Sequence, residues 1–253
     1  MSTASDTAPP VTPEILYHSA NASAHFCRSC LEPTGSGSLR ARSSFVDPAG
    51  RAMHWHDFGD LEGPGWAANA VGGAHLLYRW GGYAGRRDMQ ADALRLVDHV
   101  LEDGFVRGDG FLWPYWDLRR ERFCLNYAHG DDWLCPGSLA AVGVQMLDLA
   151  DTLGEGPRER RLREAAVALA AWSADHVPFL PSGWIPRRIT PQGDPYPYTP
   201  EGGPDPIHDH SADGLFLIEL WARLGWHDLA LRAGDAFLDA GGLWGSINHD
   251  TSD

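Results

Sequence analysis

The stretch HGDDWLCP at residues 129–136 joins a polar cluster to the apolar segment 136–151, and it indicates the fold of the whole chain. Proline is tolerated at the first position of a helix, because its missing N–H would have no partner there. Pro136 therefore predicts a helix over 136–151 that stops at Gly154. Carboxylates are favoured in front of a helix, where N–H groups are free and partial charge is positive. Asp131 and Asp132 are thus either ordinary capping acids or site residues held at a rigid helix end.

The same order of polar cluster, apolar helix, glycine and second helix recurs along the chain. The polar clusters lie at 54–62, 129–132 and 208–213. The inner helices predicted after them cover 65–80, 136–151 and 212–224. The outer helices predicted next cover 87–103, 158–176 and 226–240. Gly81, Gly154 and Gly225 close the inner helices at intervals of 73 and 71 residues. A unit of about 70 residues cannot cover its own apolar faces, so the units are expected to stack side by side.

The remaining segments predict one tail and a few short elements. Residues 1–13 are rich in Ser, Thr, Ala and Pro, and we expect a disordered tail without the basic and apolar regions of a signal peptide. Residues 14–253 are expected to form a single helical-hairpin domain, incomplete at its C-terminus, with a first helix over 14–31. The fold class is therefore all-α, with short strands in the loops.

The composition excludes several classes of partner. The chain has 253 residues, 11 of them Trp, and a formal net charge of -14, which disfavours nucleic acids and acidic membrane surfaces. No apolar run approaches the roughly 18 residues of a membrane span, so we expect a cytoplasmic protein. Four cysteines are too few to form a disulfide scaffold in a chain of this length.

With this repeat, the chain resembles the six-hairpin (α/α) toroid superfamily, which includes glycoside hydrolases, unsaturated-uronyl hydrolases, polysaccharide lyases and sugar epimerases. The resemblance covers about residues 55–253 and rests on the inner-helix segments and on DHSADGLFLIEL at 209–220, which is similar in style to inner-helix starts of that superfamily. It is architectural, without a motif of any single family. It implies a partial (α/α)6-type toroid, because a closed toroid has six hairpins and this chain supplies three. A missing C-terminal half or a homodimer partner would supply the others.

In such a toroid the three polar clusters would meet at one end of the central cavity. Glycoside cleavage needs two carboxyl groups that flank the scissile bond, one protonated and the other ionised. The candidate catalytic residues are Asp60, Asp132 and Asp209, with Glu62, Asp131 and Asp213 as substitutes. The alternative interpretation is that each of these acids caps a helix or lies in its first turn.

A carbohydrate substrate is further indicated by aromatic residues near the clusters, because Trp and Tyr rings pack against the C–H faces of sugar rings. Arginine side chains after Trp113 and Trp184 suit the carboxylate of a uronic acid. No cofactor is implied. The predicted substrate-binding residues are Trp55, His56, Trp113, His129, Trp133, Trp184, Arg187, His208 and His210.

Two other functions remain open at this point. The first is a non-catalytic helical-repeat module that binds a glycan or a protein. The second is a zinc-dependent toroid enzyme of the lanthionine-cyclase type, for which Cys27-x-x-Cys30, Cys124, Cys135 and the His-x-His pairs offer ligands. The Trp-Cys-Tyr-Gly and Cys-His-Gly sequences associated with that family are absent, so no metal ligand is assigned.

Overall fold

The computed structural model of the chain describes residues 11–43, 47, 49, 51, 60–181, 183–196 and 214–239. Within these ranges the fold is largely helical with a few short strands, as predicted. The helices are α1 (Pro13–Ser29), α2 (Ala70–Tyr83), α3 (Arg87–Glu102), α4 (Pro136–Leu153), α5 (Pro157–His176), α6 (Leu215–Arg223) and α7 (His227–Asp239). The strands are β1 (Leu31–Pro33), β2 (Leu39–Ala41), β3 (Leu61–Glu62), β4 (Tyr115–Asp117) and β5 (Arg122–Cys124).

Helices α2 to α7 form three consecutive pairs, and a loop of three residues joins the two helices of each pair. Gly85, Gly154 and Gly225 lie in these loops with φ values of 67°, 69° and 80°. Glycine adopts this left-handed conformation without the steric cost that a Cβ atom brings, so the three glycines end the first helices. Helix α4 contacts α2 on one side and α6 on the other, and the first helices therefore form a row.

The start of α2 differs from the prediction. Residues 65–69 form turns, and the helix begins at Ala70, after Asn69 in the left-handed region with a φ of 49°. A Cβ atom at Gly65 would lie 2.5 Å from the ring of Tyr115 on β4. Gly65 is therefore required for close packing against a distant strand, and it does not belong to the helix.

The end of α2 also differs from the prediction, because the helix continues through Gly81 to Tyr83. Gly81 is buried, and a Cβ atom there would lie 2.9 Å from the carbonyl oxygen of Arg86. This glycine allows the chain that leads into α3 to approach α2 closely. Gly85 is the residue that ends the helix.

The hydrophobic core lies between the helix pairs, and the apolar faces of the helices point into it. Leu139, Val142, Met146 and Leu149 of α4 are all at least 98% buried. Trp172 of α5 and Trp221 of α6 are also buried, as expected for large aromatic side chains between helices. Full burial of a large apolar side chain stabilises a fold by about 1.5–3 kcal/mol. By contrast, α1 has no buried residue.

Two small antiparallel sheets lie in the connections. The first pairs β1 with β2. The second has the order β3-β4-β5, with Leu61 opposite Asp117 and Trp116 opposite Phe123. Because β3 leads into α2 and β5 leads into α4, this second sheet connects the segments in front of these two helices. None of the described helices is long and apolar enough to cross a membrane.

Candidate functional site

Three connecting segments bring polar and aromatic side chains together near the start of α4. Loop 63–69 precedes α2, segment 125–135 precedes α4, and segment 183–196 follows α5. Leu134 and Ile189 join the last two segments through paired backbone hydrogen bonds of 2.9 and 3.0 Å. The residues of the resulting aromatic–carboxylate cluster are Trp66, Tyr127, Asp132, Trp133, Arg188 and Tyr196.

The rings of this cluster contact one another in sequence. Their centroids are 5.4 Å apart for Trp66 and Tyr127, 5.2 Å for Tyr127 and Trp133, and 6.4 Å for Trp133 and Tyr196. The Arg188 guanidinium lies 3.9 Å from the centre of the Trp133 ring and donates a 2.9 Å hydrogen bond to the Tyr127 hydroxyl. Ring contacts and this cation–π contact fix the rings relative to one another. Trp66 is 39% exposed, so the cluster has an aromatic surface that faces solvent.

Asp132 is the carboxylate of the cluster, and two donors orient it. Its Oδ1 accepts a 3.1 Å hydrogen bond from Asn126 Nδ2, and its Oδ2 accepts a 2.9 Å hydrogen bond from the Tyr196 hydroxyl. The bond to Asp132 raises the pKa of Tyr196, which therefore stays protonated and remains a donor at neutral pH. Asp132 itself is exposed, so an oriented carboxylate is open to a ligand.

Asn126, which was not among the predicted site residues, organises the loop that presents Asp132. It is 1% exposed, and its Oδ1 accepts 3.0 Å hydrogen bonds from the N–H groups of Ala128 and Gly130. Its Nδ2 also donates to the carbonyl oxygen of Trp133 at 3.2 Å. Asparagine that accepts from the backbone two residues later is typical of an Asx turn. That turn signal, directly before the HGDD stretch, was present in the sequence.

His129 belongs to the same loop, and its side chain forms a hydrogen bond with a buried carboxylate. Its Nδ1 is 2.7 Å from Asp117 Oδ2 on β4, and only 7% of the residue is exposed. Asp117 is fully buried and also accepts 2.9 Å hydrogen bonds from the N–H groups of Arg119 and Arg120. Burial alone would raise the pKa of Asp117, but its bonds from Arg120 and His129 outweigh burial and lower it. His129 therefore links the loop to the sheet, and no spacing rule pointed to Asp117.

The other predicted site residues lie at different places. Asp60 directly precedes β3, is mostly buried and forms an ion pair with Arg119. Asp60 and Asp132 therefore contact different residues, Arg119 in the first case and Asn126 and Tyr196 in the second. The two carboxylates lie on separate segments of the chain. Trp55, His56, His208, Asp209 and His210 lie outside the described residues.

The tryptophans predicted at the cavity entrance pack inward. Trp184 is fully buried, and its ring centroid is 5.0 Å from that of Phe237 on α7. Trp113 is partly buried and stacks on Phe123 at 5.4 Å. Arg187, although charged, is only 8% exposed. The structure therefore places Trp184 in the core, where α7 covers it, because a large apolar ring is more stable there than in water.

The cysteines of the chain neither form disulfides nor build a metal site among the described residues. All four cysteines are free thiols, and burial raises the pKa of Cys124 to about 12. The described part of the chain contains no group of three or more His, Cys, Asp or Glu residues that could hold a metal ion.

Comparison of the chain with protein-family models and with curated proteins finds no match. Its function is therefore inferred from its own geometry.

Proposed function

We propose that this protein is a carbohydrate-active enzyme of the six-hairpin toroid type, a glycoside hydrolase, and that the aromatic–carboxylate cluster is part of its sugar site. The observation that supports this most is an exposed carboxylate, Asp132, oriented by two donors beside a solvent-facing aromatic surface in front of α4. The row of first helices in three consecutive hairpins supports the toroid architecture, since toroids of this kind repeat that unit.

The cluster offers the two kinds of contact that a sugar ring requires. The faces of Trp66 and Tyr196 suit the apolar C–H side of a pyranose, while carboxylate and hydroxyl groups suit its hydroxyls. Because Tyr127 and Trp133 support these rings from below, the binding surface is already ordered before a ligand arrives. Preorganisation of this kind reduces the entropic cost of binding.

Asp132 suits the role of the ionised carboxylate in glycoside cleavage, either as nucleophile or as the base that activates water. The Tyr196 hydroxyl and the Asn126 amide hold it in one orientation, as a nucleophile or general base requires. The second carboxyl group would come from Asp60 or Asp209. Asp60 could serve as the acid only if its ion pair with Arg119 opened, and Asp209 lies outside the described residues.

The test compares two neighbouring acids in a binding and hydrolysis assay. Purified protein is titrated with neutral and uronic oligosaccharides by calorimetry, and hydrolysis is followed by the release of reducing ends. Asp132→Asn should lower turnover about a hundredfold or more, while the sugar still binds and the melting temperature is nearly unchanged. Asp131→Asn is the matched control, because Asp131 is exposed and pairs with Arg122, and it should retain turnover.

Two results would contradict the proposal. Retention of full activity by Asp132→Asn would remove Asp132 from the reaction. A wild-type protein that binds a glycan without cleaving any of them would favour the non-catalytic binding module instead. In that case Trp66→Ala should weaken glycan binding, while Asp132→Asn mainly affects stability through the hydrogen bonds that Asp132 accepts from Asn126 and Tyr196.

A further inference from the structure

A cavity of about 560 Å³ lies between α1, α2 and the residues after β2. None of the residues that line it belongs to the aromatic–carboxylate cluster. Its volume is in the range of pockets that bind small molecules, about 300–1,000 Å³. We propose that this cavity is a second binding site, for an uncharged and largely apolar small molecule with one hydrogen-bonding group. This proposal is independent of the proposed function.

The cavity exists because small residues face each other where larger ones would normally meet. On α1, Ala20, Ser23, Ala24 and Cys27 line it at helical spacing. On α2, Gly73 lines it, and a Cβ atom built at Gly73 would meet no atom within 4 Å. Gly73 is exposed and Leu76 is 66% exposed, so the cavity opens to solvent on one side and a ligand can enter it.

Contacts at both ends of α1 hold the helix at this distance from α2. Near its start, the ring of Tyr17 lies 5.3 Å from that of Trp80. Near its end, Arg28 donates a 2.6 Å hydrogen bond to Asp92 of α3. Since both ends are attached, α1 cannot move toward α2 in the middle without loss of these contacts. The space between the helices is therefore part of the fold.

A buried polar atom in the wall indicates what else a ligand must offer. Ser43 is 1% exposed, and its hydroxyl has no hydrogen-bond partner among the described residues. The indole N–H of Trp80, also in the wall, likewise has no partner within the described ranges. A buried polar group without a partner is costly, so a ligand oxygen that accepts from these donors would bind favourably.

The rest of the wall excludes other classes of ligand. Most lining side chains are apolar, among them Leu31, Leu76 and Leu77. A sugar would lose the hydration of its hydroxyls there without enough partners. Arg42 also lines the cavity, but its guanidinium donates a 2.9 Å hydrogen bond to Glu32, which offsets its charge. An uncharged molecule such as a fatty alcohol fits this wall best.

The experiment uses the fluorescent dye N-phenyl-naphthylamine, which is uncharged and apolar, and the full chain. We expect saturable binding of one dye per chain, displacement by decanol and no displacement by glucose. Gly73→Phe, which fills the cavity, should weaken dye binding by more than about tenfold. The matched control is Gly234→Phe on α7, where a Cβ atom also meets nothing within 4 Å. It should bind the dye as the wild type does.

A second variant tests the hydrogen-bonding group without filling the cavity. Ser43→Ala should weaken displacement by decanol severalfold and leave the melting temperature unchanged or higher, because it removes a buried hydroxyl that has no hydrogen-bond partner among the described residues. Three outcomes overturn the proposal: the wild type shows no saturable dye binding, Gly73→Phe binds the dye as well as the wild type, or both glycine variants lose binding equally. Unchanged decanol affinity in Ser43→Ala overturns the assignment of the polar contact.

Discussion

The two sides of the row of first helices are packed in opposite ways. Where α4 meets α6, a Cβ atom at Gly143 would lie 2.9 Å from Leu220 Cδ2, and Leu220 is fully buried. Where α2 faces α1, a Cβ atom at Gly73 would meet nothing within 4 Å. The same residue type thus permits close packing in the interior and leaves open space at the edge. The interior contributes stability, and the edge is available for binding.

Polar contacts attach α1 to α3, and a further, buried polar contact is made by α3. Arg28 of α1 bonds Asp92 of α3, and buried His99 of α3 lies between two carboxylates. Its Nε2 is 3.2 Å from Glu62 Oε2, and its Nδ1 is 2.7 Å from Asp103 Oδ2. Both ring nitrogens face acceptors, so His99 is suited to the protonated form. The stability of the protein should therefore depend on pH through this buried contact.

The largest predicted effect is the loss of an interior aromatic side chain. Trp221→Ala should lower the free energy of unfolding by about 3–5 kcal/mol, because it leaves a cavity among packed helices. Urea unfolding followed by circular dichroism measures this. Tyr83→Ala is the edge control, since Tyr83 is 76% exposed, and it should change stability by no more than about 0.5 kcal/mol. Equal losses in the two variants would contradict the difference between interior and edge.

A smaller effect on the free energy of unfolding is expected when leucine replaces Gly143 or Gly73. Gly143→Leu should cost about 1–3 kcal/mol, because the new side chain has no space beside Leu220. Gly73→Leu should stabilise the protein by about 0.5–1 kcal/mol, because leucine favours a helix more than glycine does and the cavity accepts it. Thermal and urea unfolding of both variants measure the two changes. If Gly73→Leu were destabilising, the cavity would be smaller than described.

The smallest predicted effect is a dependence of the free energy of unfolding on pH through His99. Burial lowers the pKa of His99, but its bonds to Glu62 and Asp103 outweigh burial and raise the pKa above its ordinary value of 6.5. The stabilisation of the folded protein by protonated His99 is therefore complete below pH 6.5, and it is lost as the pH rises through the pKa of His99 in the folded state. Burial would raise the pKa of Asp103, but hydrogen bonds from His99 and two serines outweigh burial and lower the pKa below its ordinary value of 3.8. The contribution of Asp103 to the stability of the folded protein is therefore lost only in acid.

Unfolding of the wild type and of His99→Gln at about pH 5.5 and about pH 8.5 tests this dependence. The advantage of the wild type should be larger at the lower pH, by about 0.5–1.5 kcal/mol, the usual net contribution of a hydrogen bond. His18→Gln on α1 is the control, because His18 is exposed, and it should not change the dependence. An advantage that grows toward alkaline pH would have the wrong sign and would exclude a protonated His99.

Local signals were sufficient for most of the helices. The predicted ranges 87–103, 136–151 and 158–176 agree with α3, α4 and α5 to within two residues at each end. Apolar spacing, Pro136 and Gly154 are features of neighbouring residues, so a sequence displays them directly. The limits of α2 were wrong because Gly65 and Gly81 serve contacts with β4 and with the chain before α3. Such contacts have no local signature.

The candidate site was partly predictable for the same reason. Asp132 was identified because it lies directly before a helix start marked by Pro136. Tyr196 was not, because it is 64 residues away and reaches Asp132 only through the folded chain. The burial of Trp184 could not be predicted either, because α7, which covers this loop residue, lies more than 40 residues further along the chain.

The sequence by itself therefore determined the helical character of this protein, its paired helices and the polar stretch before α4, since each follows from the spacing of neighbouring residues. Only the tertiary structure decided which glycine is crowded and which one borders a cavity, and which donors orient Asp132. It also decided that His99 lies between two carboxylates. These properties depend on distances between residues far apart in the chain, and those distances arise only when apolar faces are buried against one another.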